Sequence, residues 1–194
     1  MTSPDIQRDR AMEERVGRTL EDAGLTPGDV ARVRAAHRIA MDRRQGRLDA
    51  HHPDFLHPGR TVLILALDTP LRDGTALAAA ALLESERPEL RPDPERVRAE
   101  LGESVVDFLA EVPMGGDDLI EALLSASQPV RLVALAERLD HCRHAKFWSD
   151  RAEQERIHEQ AGSVFSPLAE RTDATLARRF AHWENAFART LARG

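Results

Sequence analysis

The chain has no tyrosine, a single cysteine (Cys142) and a single lysine (Lys146). One cysteine excludes an intrachain disulfide and a cysteine-based zinc site. Aromatic residues make up only 4%, period-two alternation is scarce, and alanine and leucine dominate, a balance that suits helices rather than sheets. No long hydrophobic run is present: the longest, TVLILALDTPL, is far too short to cross a bilayer. The N-terminal stretch MTSPDIQRDRAMEERV lacks the apolar core of a signal peptide, so a cytoplasmic location is expected. Positive charge is also in deficit, with a net charge of −6, which argues against nucleic-acid binding and against a helix-turn-helix reader. There is no P-loop, no dinucleotide glycine motif, no Gly-x-Ser-x-Gly elbow and no Cys–His nucleophile pair.

What is present is a globular composition, 42% hydrophobic and 31% charged over 194 residues, enough for a real core in a single domain spanning 1–194. Apolar residues recur at helical spacing and predict helices over 5–23, 28–44, 58–68, 73–86, 93–100, 103–111, 116–125, 129–147, 150–168 and 173–192. The fold class expected is therefore all-α, a bundle of about eight to ten helices. Thr26 before Pro27, Asp73 or Thr75, and Asp93 are the expected N-caps. The one long irregular stretch, about 45–57, is rich in His, Asp and Arg, and long ordered loops often carry function.

Three helices read as largely buried: TVLILALD, ALAAAALL and VRLVALAERLDHC. The last places Leu132, Leu135, Ala136 and Leu139 on one stripe. The polar residues that open or interrupt these helices are His57, Glu84, Ser85 and Glu137. They belong to a longer series in chain order: AHRIAMDRRQG, DFLHPGRTVLILA, ALAAAALLESERPEL, LGESVVDFLAEV and QPVRLVALAERLDHCR, followed by FWSDRAEQERIHEQAGSVFSPLAER. Over about residues 30–170 this order and spacing resembles the HD-domain metal-dependent phosphohydrolases, within them the (p)ppGpp hydrolases of the small alarmone hydrolase type. Residues 173–194 would then form a C-terminal packing helix.

The resemblance implies a divalent metal held by two histidines and two aspartates, with a pair of acids assisting hydrolysis. Carried across, the first histidine is His57, the His-Asp pair falls on Glu84 and Ser85, and the last aspartate falls on Glu137. The assisting acids fall on Pro88 and Glu89. The candidate metal ligands are therefore His57, Glu84 and Glu137, a hard set suited to Mn²⁺ or Mg²⁺. Glu89 or Glu86 would serve as general acid or base. Arg38, Arg43 and Arg44 stand where the resemblance implies nucleotide contacts, and arginine suits phosphate. Such extensive substitution implies a centre without a metal and with weak or no hydrolase activity, leaving a nucleotide- or partner-binding protein. The alternative is an active phosphohydrolase using the three substituted ligands.

Other histidines are candidates by composition. His141 and His144 flank Cys142 at helical spacing and read either as a metal pair or as solvent-facing side chains. His51 and His52 lie in the long loop, and His37 precedes Arg38. Phe180, Trp183 and Phe187 recur at i, i+3 and i+7, a core-facing stripe or a face for self-association.

Overall fold

The computed structural model describes residues 4–193, and its described residues form helices without a strand. In order these are α1 (Pro4–Asp22), α2 (Pro27–Arg44), α3 (His57–Asp68), α4 (Gly74–Leu82), α5 (Pro94–Leu101), α6 (Glu103–Glu111), α7 (Leu119–Ser125), α8 (Gln128–His144), α9 (Arg151–Gln160), α10 (Ser166–Glu170) and α11 (Ala174–Leu191). A π-helical turn, Ala161–Phe165, joins α9 to α10, so the helix expected over 150–168 changes pitch midway. None of the helices is long and apolar enough to cross a membrane.

Local chemistry accounts for the starts. Thr26 Oγ1 accepts the Asp29 N–H at 3.2 Å, with Pro27 at the first helical position. Asp73, rather than Thr75, caps α4 by accepting the Ala76 N–H at 2.9 Å. Asp93, Asp150 and Asp173 cap α5, α9 and α11 in the same way. Each satisfies backbone donors that the first turn leaves unpaired.

The centre of the bundle is α4, whose sequence GTALAAAAL is buried on nearly every face. Its small side chains let α2, α3, α6 and α8 all pack against it. Helix α8 is buried without interruption from Leu132 through Cys142. On α11, Phe180, Trp183 and Phe187 face the core, with Trp183 and Phe187 stacked at 4.8 Å. The expected core stripe is therefore where this helix meets the bundle.

One boundary differs in a way that matters. The fourth helix stops at Leu82, not at residue 86, and Leu83 turns out with ψ 131°. The chain leaves the helix because its next backbone donors find side-chain partners. Glu84 Oε1 accepts the N–H groups of Glu86 and Arg87 at 3.2 and 3.1 Å, and Ser85 N–H donates to Glu137 Oε1 at 2.8 Å. Residues 84–87 thus form a loop beside His57 at the start of α3 and over the middle of α8.

Candidate metal centre

Three elements deliver the site. His57 opens α3, Glu84 leads the loop after α4, and Glu137 and His141 lie one turn apart on α8. All four side chains are buried. The rings of His57 and His141 stack with centroids 4.2 Å apart. His57, Glu84 and His141 bring one ligand atom each to within 4.8 Å of one another. Glu137 closes the next side, its Oε1 lying 3.2 Å from His141 Nε2, the same separation as Glu84 Oε1.

Each histidine has a carboxylate behind it. Asp140 Oδ2 is 2.8 Å from His57 Nδ1, and Asp54 Oδ1 is 3.6 Å from His141 Nδ1. With His57 Nδ1–H given to Asp140, Nε2 presents a lone pair toward the cluster, and this atom is buried without a hydrogen-bond partner. Neither ring nitrogen of His141 has hydrogen-bond geometry, despite Glu84 and Glu137 close to Nε2 and Asp54 behind Nδ1. Histidines backed by carboxylates, with bare inner nitrogens, are the arrangement seen around bound metals. Ligand atoms about 2.1 Å from a tetrahedral ion lie about 3.4 Å apart, close to the 3.2 Å spacings here. His57, Glu84 and His141 are thus a donor set that could hold a metal ion.

Arginines wall this centre. Arg44 is buried and donates to Glu84 Oε2 at 2.7 Å and to the Asp54 carbonyl at 3.3 Å. Arg87 binds Asp54 Oδ2 at 2.9 Å, and Arg60 holds both oxygens of Asp140, at 2.8 and 2.9 Å. Arg138 bonds Glu86 and, at 2.9 Å, Ser85 Oγ. Arg156, half exposed, joins Glu86 from the solvent side. Ser85 Oγ donates to Glu137 Oε1 at 2.6 Å. Within the wall Asp54, Glu84, Glu86 and Asp140 pair with Arg87, Arg44, Arg138 and Arg60 in turn, while Glu137 lies against His141.

The electrostatics follow from this packing. Burial opposes ionisation of Glu137, but His141 and Arg138 outweigh it and hold its carboxyl well below the usual range. Burial likewise works against Asp140, where His57 and Arg60 prevail, and against Asp54, where His141 and Arg87 prevail. Glu84 and Glu86 are lowered against burial in the same manner. Burial disfavours an imidazolium at His141, yet Glu137, Asp54 and Glu84 raise it well above its ordinary value. At these groups opposite charges at contact distance prevail over desolvation, whereas at Arg44 burial prevails over Glu84 and Asp54 and lowers its affinity for its proton.

The other sequence candidates are placed differently. Arg44 is not free for a ligand, being inside the wall. Arg38 is exposed and pairs with Glu13 at 2.7 Å. Arg43 donates to the Glu89 carbonyl at 3.0 Å, and Glu89 is exposed on a short 3₁₀ turn, Pro88–Leu90. His37 is buried against Asp9 at 2.9 Å. His51 is exposed and His52 half-buried, the latter accepting the Asp54 N–H at 3.1 Å. His141 is the correction: it is fully buried at the centre, not solvent-facing, while its neighbour His144 turns aside to the Asp140 carbonyl at 2.8 Å. The sequence offered a signal for His141, its position one turn after Glu137, but nothing to show that Glu84 and Asp54 would converge on it.

The space around the centre is limited. Glu137 and Ser85 border a void of about 10 Å³, room for about one water. Glu84 borders a cavity of about 250 Å³ whose other walls are mostly apolar, among them Leu82, Pro94, Val106 and Met114. Neither presents a set of cations to a phosphate. No protein-family model and no curated protein matches the chain.

Proposed function

We propose that this is an HD-phosphohydrolase-like protein whose centre has been rebuilt as a closed cation site, with hydrolase activity weak or absent. The ligands assigned are His57, Glu84 and His141, with Glu137 on the remaining side. Two imidazoles and two carboxylates suit a borderline ion such as Mn²⁺ or Zn²⁺ over Mg²⁺. The observation that carries the reading is the pair of buried, carboxylate-backed histidines whose inner nitrogens lack partners beside Glu84. A divalent ion there supplies charge that ties α3, α8 and the loop after α4 together.

The chain's own residues explain why hydrolysis is not expected. Asp140 orients His57, Asp54 stands behind His141 at 3.6 Å, and Ser85 and Arg138 cover Glu137 and Glu86. Glu86 is bound by two arginines and Glu89 is exposed rather than among the buried cluster, so neither is poised to move a proton to a leaving group. Structural metal sites are closed, whereas hydrolytic ones keep a position open to substrate. The protein's role is then to bind a ligand or partner elsewhere on its surface.

A second reading has one observation in its favour. The raised affinity of His141 for a proton lets an imidazolium stand between Glu84 and Glu137 without any metal. Metal analysis of protein purified without chelator, with Mn²⁺ and Zn²⁺ titration and assay of (p)ppGpp hydrolysis, separates the possibilities. Near-stoichiometric metal without turnover is expected. Turnover at enzymatic rates, or no metal uptake by the wild-type protein, would overturn the proposal.

A further inference from the structure

Around the end of α8, arginines and the one lysine gather at two cavities. The protein is acidic overall, yet two neighbouring cavities share Arg143 and Arg179 as walls. The larger, of about 410 Å³, lies between the end of α8 and α11 and is lined also by Lys146, His182, Trp183 and Phe187. The smaller, of about 240 Å³, adds Arg15, Arg60 and His144. Its two acids are already engaged, Asp140 by Arg60 and Asp68 by Arg179.

Arg143 and Lys146 make no ion pair or hydrogen bond among the described residues, though Lys146 lies over the Phe147 ring at 4.8 Å. Arg143 is half-buried and stands in the wall that the two cavities share, where Arg179 stands too. Arg179 already has Asp68 as a partner, whereas the half-buried Arg143 guanidinium has none of its own and gains most from an anion entering the cleft. The negative end of α8 accounts for a cation in its last turn. It does not account for Arg179, which α11 brings to the same space.

We infer that this cleft binds a phosphate monoester carrying a flat apolar body. Its phosphate sits between Arg143 and Arg179 with Lys146 beside it, and its body lies along the wall made by Trp183, Ala186 and Phe187. Arginine matches phosphate through paired N–H donors, and aromatic walls take a flat, apolar group. The site stands apart from the cation centre and does not depend on whether that centre holds metal.

The test is calorimetric titration of the full chain with phenyl phosphate, inorganic phosphate and benzoate at fixed ionic strength. Phenyl phosphate is expected to bind with one-to-one stoichiometry and at least about tenfold more tightly than either of the other two. Arg143→Gln weakens it at least about tenfold, and Lys146→Gln several-fold, because charge-assisted hydrogen bonds are lost. Arg189→Gln, an exposed change on α11 outside the cleft, leaves it unchanged. Circular dichroism checks that each variant is folded. Lys146 is exposed, so its variant remains informative should Arg143→Gln misfold. Absence of phenyl phosphate binding, or equal binding by wild type and folded variants, would overturn the assignment.

Discussion

At the scale of single residues, Arg44 has the clearest energetic role. Its guanidinium is buried against Glu84 and two backbone carbonyls. Removing one partner of a buried pair leaves an uncompensated charge, which costs about 3–5 kcal/mol. Arg44→Met is therefore expected to lower urea stability by that order, while Arg38→Ala, at an exposed pair, changes it by under about 1 kcal/mol. Cys142 gives a second prediction. Burial pushes its thiol up to about 12, and the thiolate is the reactive form. Native protein at pH 8 should resist iodoacetamide, with alkylation appearing only as urea unfolds it. Rapid labelling of the native state would mean that the end of α8 opens.

Among helices and loops, the glycines at two contacts mark how tightly the elements meet. A Cβ on Gly59 would collide with the Met12 side chain from α1. A Cβ on Gly74 would collide with the Asp29 side chain from α2. Gly59→Ala is expected to cost about 1–3 kcal/mol through overpacking, measured as a fall in the urea midpoint with unchanged slope. The same scale explains what the sequence could and could not reveal. Thr26, Asp73 and Asp93 were legible as caps because capping is settled within three residues. The all-α class and the core stripe Phe180, Trp183 and Phe187 were legible because helical periodicity is local. The end of α4 at Leu82 was not, since Glu137, far along the chain, takes the Ser85 N–H. His141 escaped for the same reason: its surroundings come from α3, the preceding loop and the loop after α4, and no spacing along α8 encodes them.

For the whole molecule, the buried charges set the pH response. Asp54, Glu84, Glu86, Glu137 and Asp140 are all held below their ordinary values. The unfolded chain thus takes up protons first as pH falls, so their stabilisation is present above about pH 4–5 and is lost on further acidification. His141 has the opposite sign. Its folded-state affinity for a proton is raised, so its contribution is full below about pH 6.5 and is lost as pH rises through its folded value. Chelator-treated protein is expected to melt highest near pH 5–6 and progressively lower on either side. A flat profile from pH 5 to 9 would contradict a charged His141. Cation binding must displace that proton, so affinity for Mn²⁺ should increase with pH across this range.

The claim that the centre is a closed, histidine-containing cation site is tested most directly by Co²⁺ substitution followed by visible absorption. One equivalent is expected to give the intense spectrum of four-coordinate Co²⁺, unaltered by added phosphate and lost in both His57→Ala and His141→Ala. No uptake, or the weak spectrum of a six-coordinate ion carrying exchangeable water, would contradict the account.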